Sequence, residues 1–328
     1  MTKHRSRRVR AALLLAVAGL LVAACGGTKV NAGSSAGASG GSHKPCTGTT
    51  NIAVNPWVGY EADYAVVSYV LKNKLGCDVK GSNINEQTSW QGFGSGQIDV
   101  ILENWGHEDL AKTYITDQKV AEDFGSAGNE GIIGWYVPAW MGQQYPDITD
   151  WHNLNKYSNL FKTAESGSKG QLLDGDPSYV TNDKALVKNL NLNYTVVVGG
   201  SEATLIKSLQ TATDQKKPLL FYFYEPQWAL ASLKVTRVNL PPYTPGCDTD
   251  AAKVACDYPP YHLNKVVRVA WANSGSPAVT MVKNFNWTND DQNQVAEYIA
   301  NQGMTDDQAA KKWVDANPDK VNAWLQGT

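Results

Sequence analysis

From residue 51 onward the chain alternates between strand-like and helix-like segments, and that alternation limits its fold more than any other feature. NIAVNPW (51–57) is a short β-rich run, and apolar residues at helical spacing follow from Ala62 to Leu75. CDVKGSNI is extended, TSWQGFGSG forms a short helix or turn, and IDVIL (98–102) has the pattern of a buried strand. EDLAKTYITDQKVAEDF has an amphipathic helical pattern, and GIIGWYVPAW (131–140) is a strand ending at Pro138. GQLLDGD, a helix over Asn182 to Leu190, YTVVVGG, EATLIKSLQTA and PLLFYFY continue the alternation. Strands separated by helices of this length predict parallel βαβ units. After KVVRVAWA (265–272) the pattern is helical to the end, with start signals at Thr288 and Thr305, the latter followed by Gln308 in capping-box spacing.

The first 24 residues stand apart. Lys3, Arg5, Arg7, Arg8 and Arg10 precede a short apolar run from Ala11 to Val22 and then small residues. This predicts a secretory signal peptide, since the run is too short to span a bilayer. Leu21-Val22-Ala23-Ala24-Cys25 resembles a bacterial lipoprotein cleavage box, which makes Cys25 the candidate for acylation. The Gly, Ser and Ala of residues 25–45 read as a flexible tether. The expected product is an exported domain, anchored to the outer face of the cytoplasmic membrane by a lipid on Cys25.

Without the leader, 24 Lys and Arg face 31 Asp and Glu, an acidic balance that argues against nucleic acid as a partner. The roughly 280 residues beyond the tether suit two lobes better than one core. We expect an α/β fold of two lobes with the ligand cleft between them. Residues 46–136 and 262–328 form lobe 1 and 137–261 form lobe 2. Four cysteines remain besides Cys25, an even number in an oxidising compartment. Cys247 and Cys256 bracket a short loop and are the simplest pair, leaving Cys46 and Cys77 to each other. A metal site is the rival reading, but there is no Cys-x-x-Cys and the five His are scattered. No metal or cofactor is expected.

The chain holds 11 Trp and 15 Tyr against 6 Phe. A core needing only ring volume favours Phe; Trp and Tyr suit places where one edge meets a polar group or a cation meets the face. Trp57, Trp105, Tyr179 and Tyr224 all follow or end predicted strands, and ligands in open α/β sheets sit beyond the carboxyl ends of strands. Converging rings suit a quaternary ammonium group, which has no N–H to donate and is held by ring faces. Trp228 reads as packing for the turn after PLLFYFY.

Four segments, NIAVNPWVGYEAD, WQGFGSGQIDVILENW, FYFYEPQWA and WVDANPDKVNAWLQG, resemble the substrate-binding proteins of glycine betaine and choline ABC transporters. The resemblance runs from about Asn51 to Gly327. It implies an aromatic box around a trimethylammonium group, with Trp57, Trp105, Tyr179 and Tyr224 in box positions, the tyrosines keeping a π face. It also implies the type II periplasmic-binding-protein-like form of the two-lobe fold, a membrane permease as partner, lobe closure over the ligand, and no catalysis.

Two departures from the family pattern concern the ligand's polar end. Betaine binders hold the ligand carboxylate with backbone N–H groups and usually a His, and His107 is the candidate here at a different offset. The choline branch has an Asp two residues after the first box Trp, where this chain has Gly59. Glu225 matches the choline branch's Glu-Pro, and with Glu103 it favours a cation lacking a carboxylate. The capped helix start GGSEATL is a further candidate to face the polar end. Ectoine, proline or a polyamine are the rival ligands for such a fold, and a sensor is the rival to a permease. A hydrolase is disfavoured because GSGQ, GSKG and GGSE are not G-x-S-x-G. The chain is expected to act as a monomer.

Overall fold

The computed structural model describes residues 44–328; the leader, Cys25 and nearly all of the tether lie outside them. Nine strands are formed: β1 (Thr49–Val54), β2 (Asp78–Asn83), β3 (Val100–Asn104), β4 (Ala121–Pro138), β5 (Gly170–Asp174), β6 (Tyr194–Val198), β7 (Phe221–Glu225), β8 (Val235–Arg237) and β9 (Tyr261–Arg268). Their order is β2-β1-β3-β9-β4-β7-β5-β6, with β8 paired to β4. The βαβ reading holds in both halves: β1 runs parallel to β2 and β3, and β5 runs parallel to β6 and β7.

The antiparallel strand β4 joins the halves. Its first part pairs with β9 as far as Gly131↔Tyr261, and from Ile132↔Glu225 it pairs with β7. The strand is thus much longer than the segment 131–140 predicted from sequence. It begins inside the stretch read as an amphipathic helix, because the helical turns of Glu108–Asp117 stop before Lys119, which adopts a left-handed φ of 57°. From Ala121 the backbone bonds to β9 instead, so sheet pairing overrides a local helical pattern.

Strands β1 and β3 read as nearly continuous apolar runs because they are covered. Ile52, Ala53, Val100 and Leu102 are fully buried or nearly so. The helix Val58–Leu75, with Ala62, Ala65, Val66 and Val70 buried, packs against the helices Asn289–Ala300 and Asp306–Ala316. Both of those start as the sequence predicts. Thr288 accepts from Asp291 N at 3.3 Å while Asp291 accepts from Thr288 N at 2.9 Å. Thr305 and Gln308 repeat the reciprocal cap at 3.3 and 3.1 Å, and each such cap contributes on the order of 1 kcal/mol. Disulfides join Cys46 to Cys77 and Cys247 to Cys256, so all four cysteines are paired and the metal reading is set aside.

Candidate functional site

Trp57, Trp105, Tyr179 and Tyr224 come together. With Tyr222 they wall one cavity, completed by Ile133, Val180 and Glu86. Each ring is placed by local structure at the end of its strand. Trp57 precedes the first turn of helix Val58–Leu75, in a bend where Asn55 donates to Ile84 O at 2.9 Å and Ser89 Oγ at 2.7 Å. Tyr179 follows β5 in a turn closed by Asp176, whose carboxylate accepts from Ser178 N at 2.8 Å and whose carbonyl accepts from Tyr179 N at 3.0 Å. Trp105 follows β3 and Tyr224 lies within β7.

Two glycines give the rings room. A Cβ on Gly131 would stand 2.7 Å from Trp105 Cζ3, and one on Gly175 would stand 2.7 Å from Tyr179 Cδ2. The rings then meet edge to face: Trp57 with Tyr179 at 5.6 Å, Trp105 with Tyr224 at 5.7 Å and Tyr179 with Tyr224 at 5.9 Å. Tyr222 is absent from the sequence-based site, although period-two alternation puts it on the same face of β7 as Tyr224.

One buried acid holds both indoles. Glu103 Oε1 accepts from Trp105 Nε1 at 2.6 Å and from Trp57 Nε1 at 3.3 Å, while Oε2 accepts from Gln292 Nε2 at 2.7 Å. Burial pushes the carboxyls of Glu103 and its neighbour Asp63 up. The two acids are coupled, so they titrate as a pair, and the indole N–H groups and Gln292 oppose the rise at Glu103. Glu103 therefore acts on the rings from the protein side; it does not line the cavity.

A second buried acid, Glu202, anchors the opposite side. Its Oε1 accepts from Tyr224 OH at 2.8 Å and Gln227 Nε2 at 2.8 Å, and its Oε2 accepts from Val58 N at 3.0 Å. Glu202 opens the helix Glu202–Asp214, which Ser201 caps by accepting from Thr204 N at 3.2 Å. The GGSEATL start proposed for a ligand's polar end thus turns its acid onto Tyr224, Gln227 and Val58 N, and Glu202 is not among the lining residues.

Two candidates are placed differently from the expectation. Glu225 lies in a separate groove with Gln227, Trp228, Asp290, Asn293 and Glu297. The cause is strand alternation: if Tyr222 and Tyr224 face the cavity, residue 225 must face away. Trp228, expected to be packing, lines that same groove outside the ring cavity. His107 does not line the cavity either; its Nε2 lies 3.0 Å from Oε1 of Glu86, which does. Burial lowers the His107 pKa, but Glu86 outweighs it and the net direction is up. Burial raises Glu86, with His107 opposing. Gly59 has no space for a side chain, since a Cβ would meet Gln292 Nε2 at 2.8 Å.

Residues 48–316 match the family model described as the substrate binding domain of ABC-type glycine betaine transport system. The trimethylamine N-oxide-binding protein of Pelagibacter ubique is 24% identical over 253 residues, covering 74% of this chain and 80% of that protein. The glycine betaine/carnitine transport binding protein GbuC of Listeria monocytogenes is 27% identical over 127 residues, covering 39% of this chain and 38% of that protein. Lactococcal OpuAC, in a closed form with glycine betaine, superposes with a TM-score of 0.67 at 20% identity, covering 85% of this chain and 100% of that one. An ABC-transporter choline-binding protein with choline gives 0.69 at 18% identity, covering 85% and 92%. The last two share the two-lobe fold of this chain.

Proposed function

The chain belongs to the family of substrate-binding domains of ABC-type glycine betaine transport systems, and on that premise we propose that its ring cavity captures a small trimethylammonium solute for delivery to an ABC permease. The observation that carries this reading is the set of five rings around one cavity, each with its polar edge tied to the protein. A quaternary nitrogen has no N–H, so ring quadrupoles and methyl burial must hold it. Each desolvated cation–π contact contributes about 2 kcal/mol. Three or four of them, after the cost of association, suit roughly micromolar affinity.

Residues 46–136 with 262–328, and 137–261, act as the two lobes in this reading. It is supported by the change of partner along β4 and by the Glu202–Val58 bond between the two strand groups. Closure brings the lobes together over the ligand, and the permease reads the closed form. The leader 1–24 exports the chain, and a lipid on Cys25 holds it at the outer face of the membrane as a monomer. Trp57, Trp105, Tyr179 and Tyr224 are the binding rings. Ectoine, proline or a polyamine would call for more polar anchors and fewer free ring faces than this cavity offers.

Tryptophan fluorescence tests the reading directly. Glycine betaine, choline, carnitine or trimethylamine N-oxide should shift the emission at micromolar concentration, and Trp105→Ala should abolish that shift. A response to ectoine or proline with none to the trimethylated amines would refute it.

A further inference from the structure

Counting hydrogen-bond donors around the cavity shows what kind of ligand tail it accepts. Each indole has one N–H and each phenol one O–H. Trp57 and Trp105 donate to Glu103 at 3.3 and 2.6 Å. Tyr179 donates to Pro56 O at 3.3 Å, Tyr222 to Val180 O at 3.1 Å, and Tyr224 to Glu202 at 2.8 Å. All five ring donors are therefore committed to the protein. Ile133 and Val180 have apolar side chains, which leaves Glu86 as the remaining polar side chain in the lining.

Glu86 is a buried acid, 4% exposed, at the start of the helix Glu86–Ser95. His107 Nε2 stands 3.0 Å from its Oε1 and fixes its position. The position that could otherwise supply an acid near Trp57 is Gly59, where Gln292 fills the space.

We propose that Glu86 selects the ligand's tail, so that the cavity prefers a trimethylammonium cation whose tail donates a hydrogen bond, as choline's hydroxyl does, and disfavours tails ending in a carboxylate, as in glycine betaine. The inference rests on the trimethylammonium reading above and narrows it. A hydroxyl tail finds an acceptor in Glu86. A carboxylate tail finds no uncommitted N–H or O–H among the rings, Ile133 and Val180 of the lining. Discrimination by mismatch of this kind commonly exceeds what an added attractive contact achieves. His107 serves as a positioning residue for Glu86.

The experiment measures dissociation constants by calorimetry for tetramethylammonium, choline and glycine betaine on the wild-type protein, Glu86→Gln and Glu86→Asp. Tetramethylammonium reports the rings alone, because it has no tail. The wild type should bind choline at least about tenfold more tightly than betaine, a difference of about 1.4 kcal/mol. Glu86→Gln replaces the carboxyl with an amide that can also donate, so the readout is the choline-to-betaine ratio, which should collapse toward unity or invert. Glu86→Asp keeps the carboxyl but shortens the reach, and the ratio should fall with tetramethylammonium affinity retained. If tetramethylammonium binds while the wild type prefers betaine, or if neither variant moves the ratio, the proposal is overturned and the ring reading stands. If none of the three cations binds the wild type, the trimethylammonium reading fails, and this proposal fails with it.

Discussion

In the C-terminal third, Trp313 and Trp324 lie face to face at 5.6 Å with 7° between planes, and Trp287 meets Trp313 edge-on at 5.5 Å. Around the cavity, Trp105 meets Tyr224 and Trp57 meets Tyr179 at nearly the same separations, 5.7 and 5.6 Å. Ring geometry does not separate the two clusters; their surroundings do. The C-terminal rings have the protein's own ammonium groups beside them, Lys320 5.9 Å from the Trp313 ring and Lys265 6.0 Å from Phe285. Among the described residues, no Lys lies over a cavity ring. Trp313 Nε1 is buried without a hydrogen-bond partner, whereas each cavity indole donates to Glu103. Rings packed for stability tolerate an idle donor. The rings around the cavity have their polar edges fixed as well, by Glu103, Glu202 and two backbone carbonyls.

Replacing one member of each cluster puts this distinction at risk. Trp313 is fully buried, and Trp313→Ala should cost about 3–5 kcal/mol in urea unfolding. The surviving folded protein should bind ligand with unchanged affinity. An affinity loss like that of Trp105→Ala would dissolve the contrast between a packing cluster and a site.

A smaller effect is expected beneath the cavity. Glu103→Gln keeps the volume but sets its amide against the Gln292 amide that Glu103 Oε2 now accepts from at 2.7 Å. Trimethylammonium affinity should fall about tenfold, equivalent to about 1.4 kcal/mol, with Tyr179 and Tyr224 unaltered. Unchanged affinity would show that the indoles hold their places by packing alone, as in the C-terminal cluster.

A different kind of effect concerns Asp183, which accepts from Trp135 Nε1 at 2.7 Å and from Tyr258 OH at 2.6 Å, with Tyr258 edge-on to cavity ring Tyr222 at 6.2 Å. Burial first, then the charge of Asp174, pushes its carboxyl up to about 8, against the hydrogen bonds from Trp135, Tyr258 and Thr181. An unfolded Asp titrates near about 4. Between those values the folded state holds the extra proton, so stability contributed here is present below about pH 4 and declines as pH rises toward about 8. Melting temperature measured across that window should show the decline, and Asp183→Asn should flatten it. A slope that persists in the variant would assign it to other acids.

The richness in Trp and Tyr was a fair pointer but an incomplete one. Trp287, Trp313 and Trp324 carry the same signal and only pack, so composition alone overstates the site. Position at strand ends was the better guide, since it follows from βαβ order. Tyr222 was within reach of the same strand pattern. Glu86 was not, because after the cap Asn85, which accepts from Thr88 N at 2.8 Å, an acid looks like any first-turn helix residue.

Alternation of strands and helices, the helix starts at Thr288 and Thr305 with the capping box of the latter, and the rings at strand ends were determined by the sequence itself. Each depends on residues a few positions apart or on a short period. What only tertiary structure decided is which polar atoms are spent and which are left. Glu103 meets Gln292 across 189 positions and Glu202 meets Val58 across 144. Those partners are set by how β4 and β9 join the two halves, and no local pattern encodes them. The character of the cavity, with its ring edges tied and one acid left over, follows from those distant bonds.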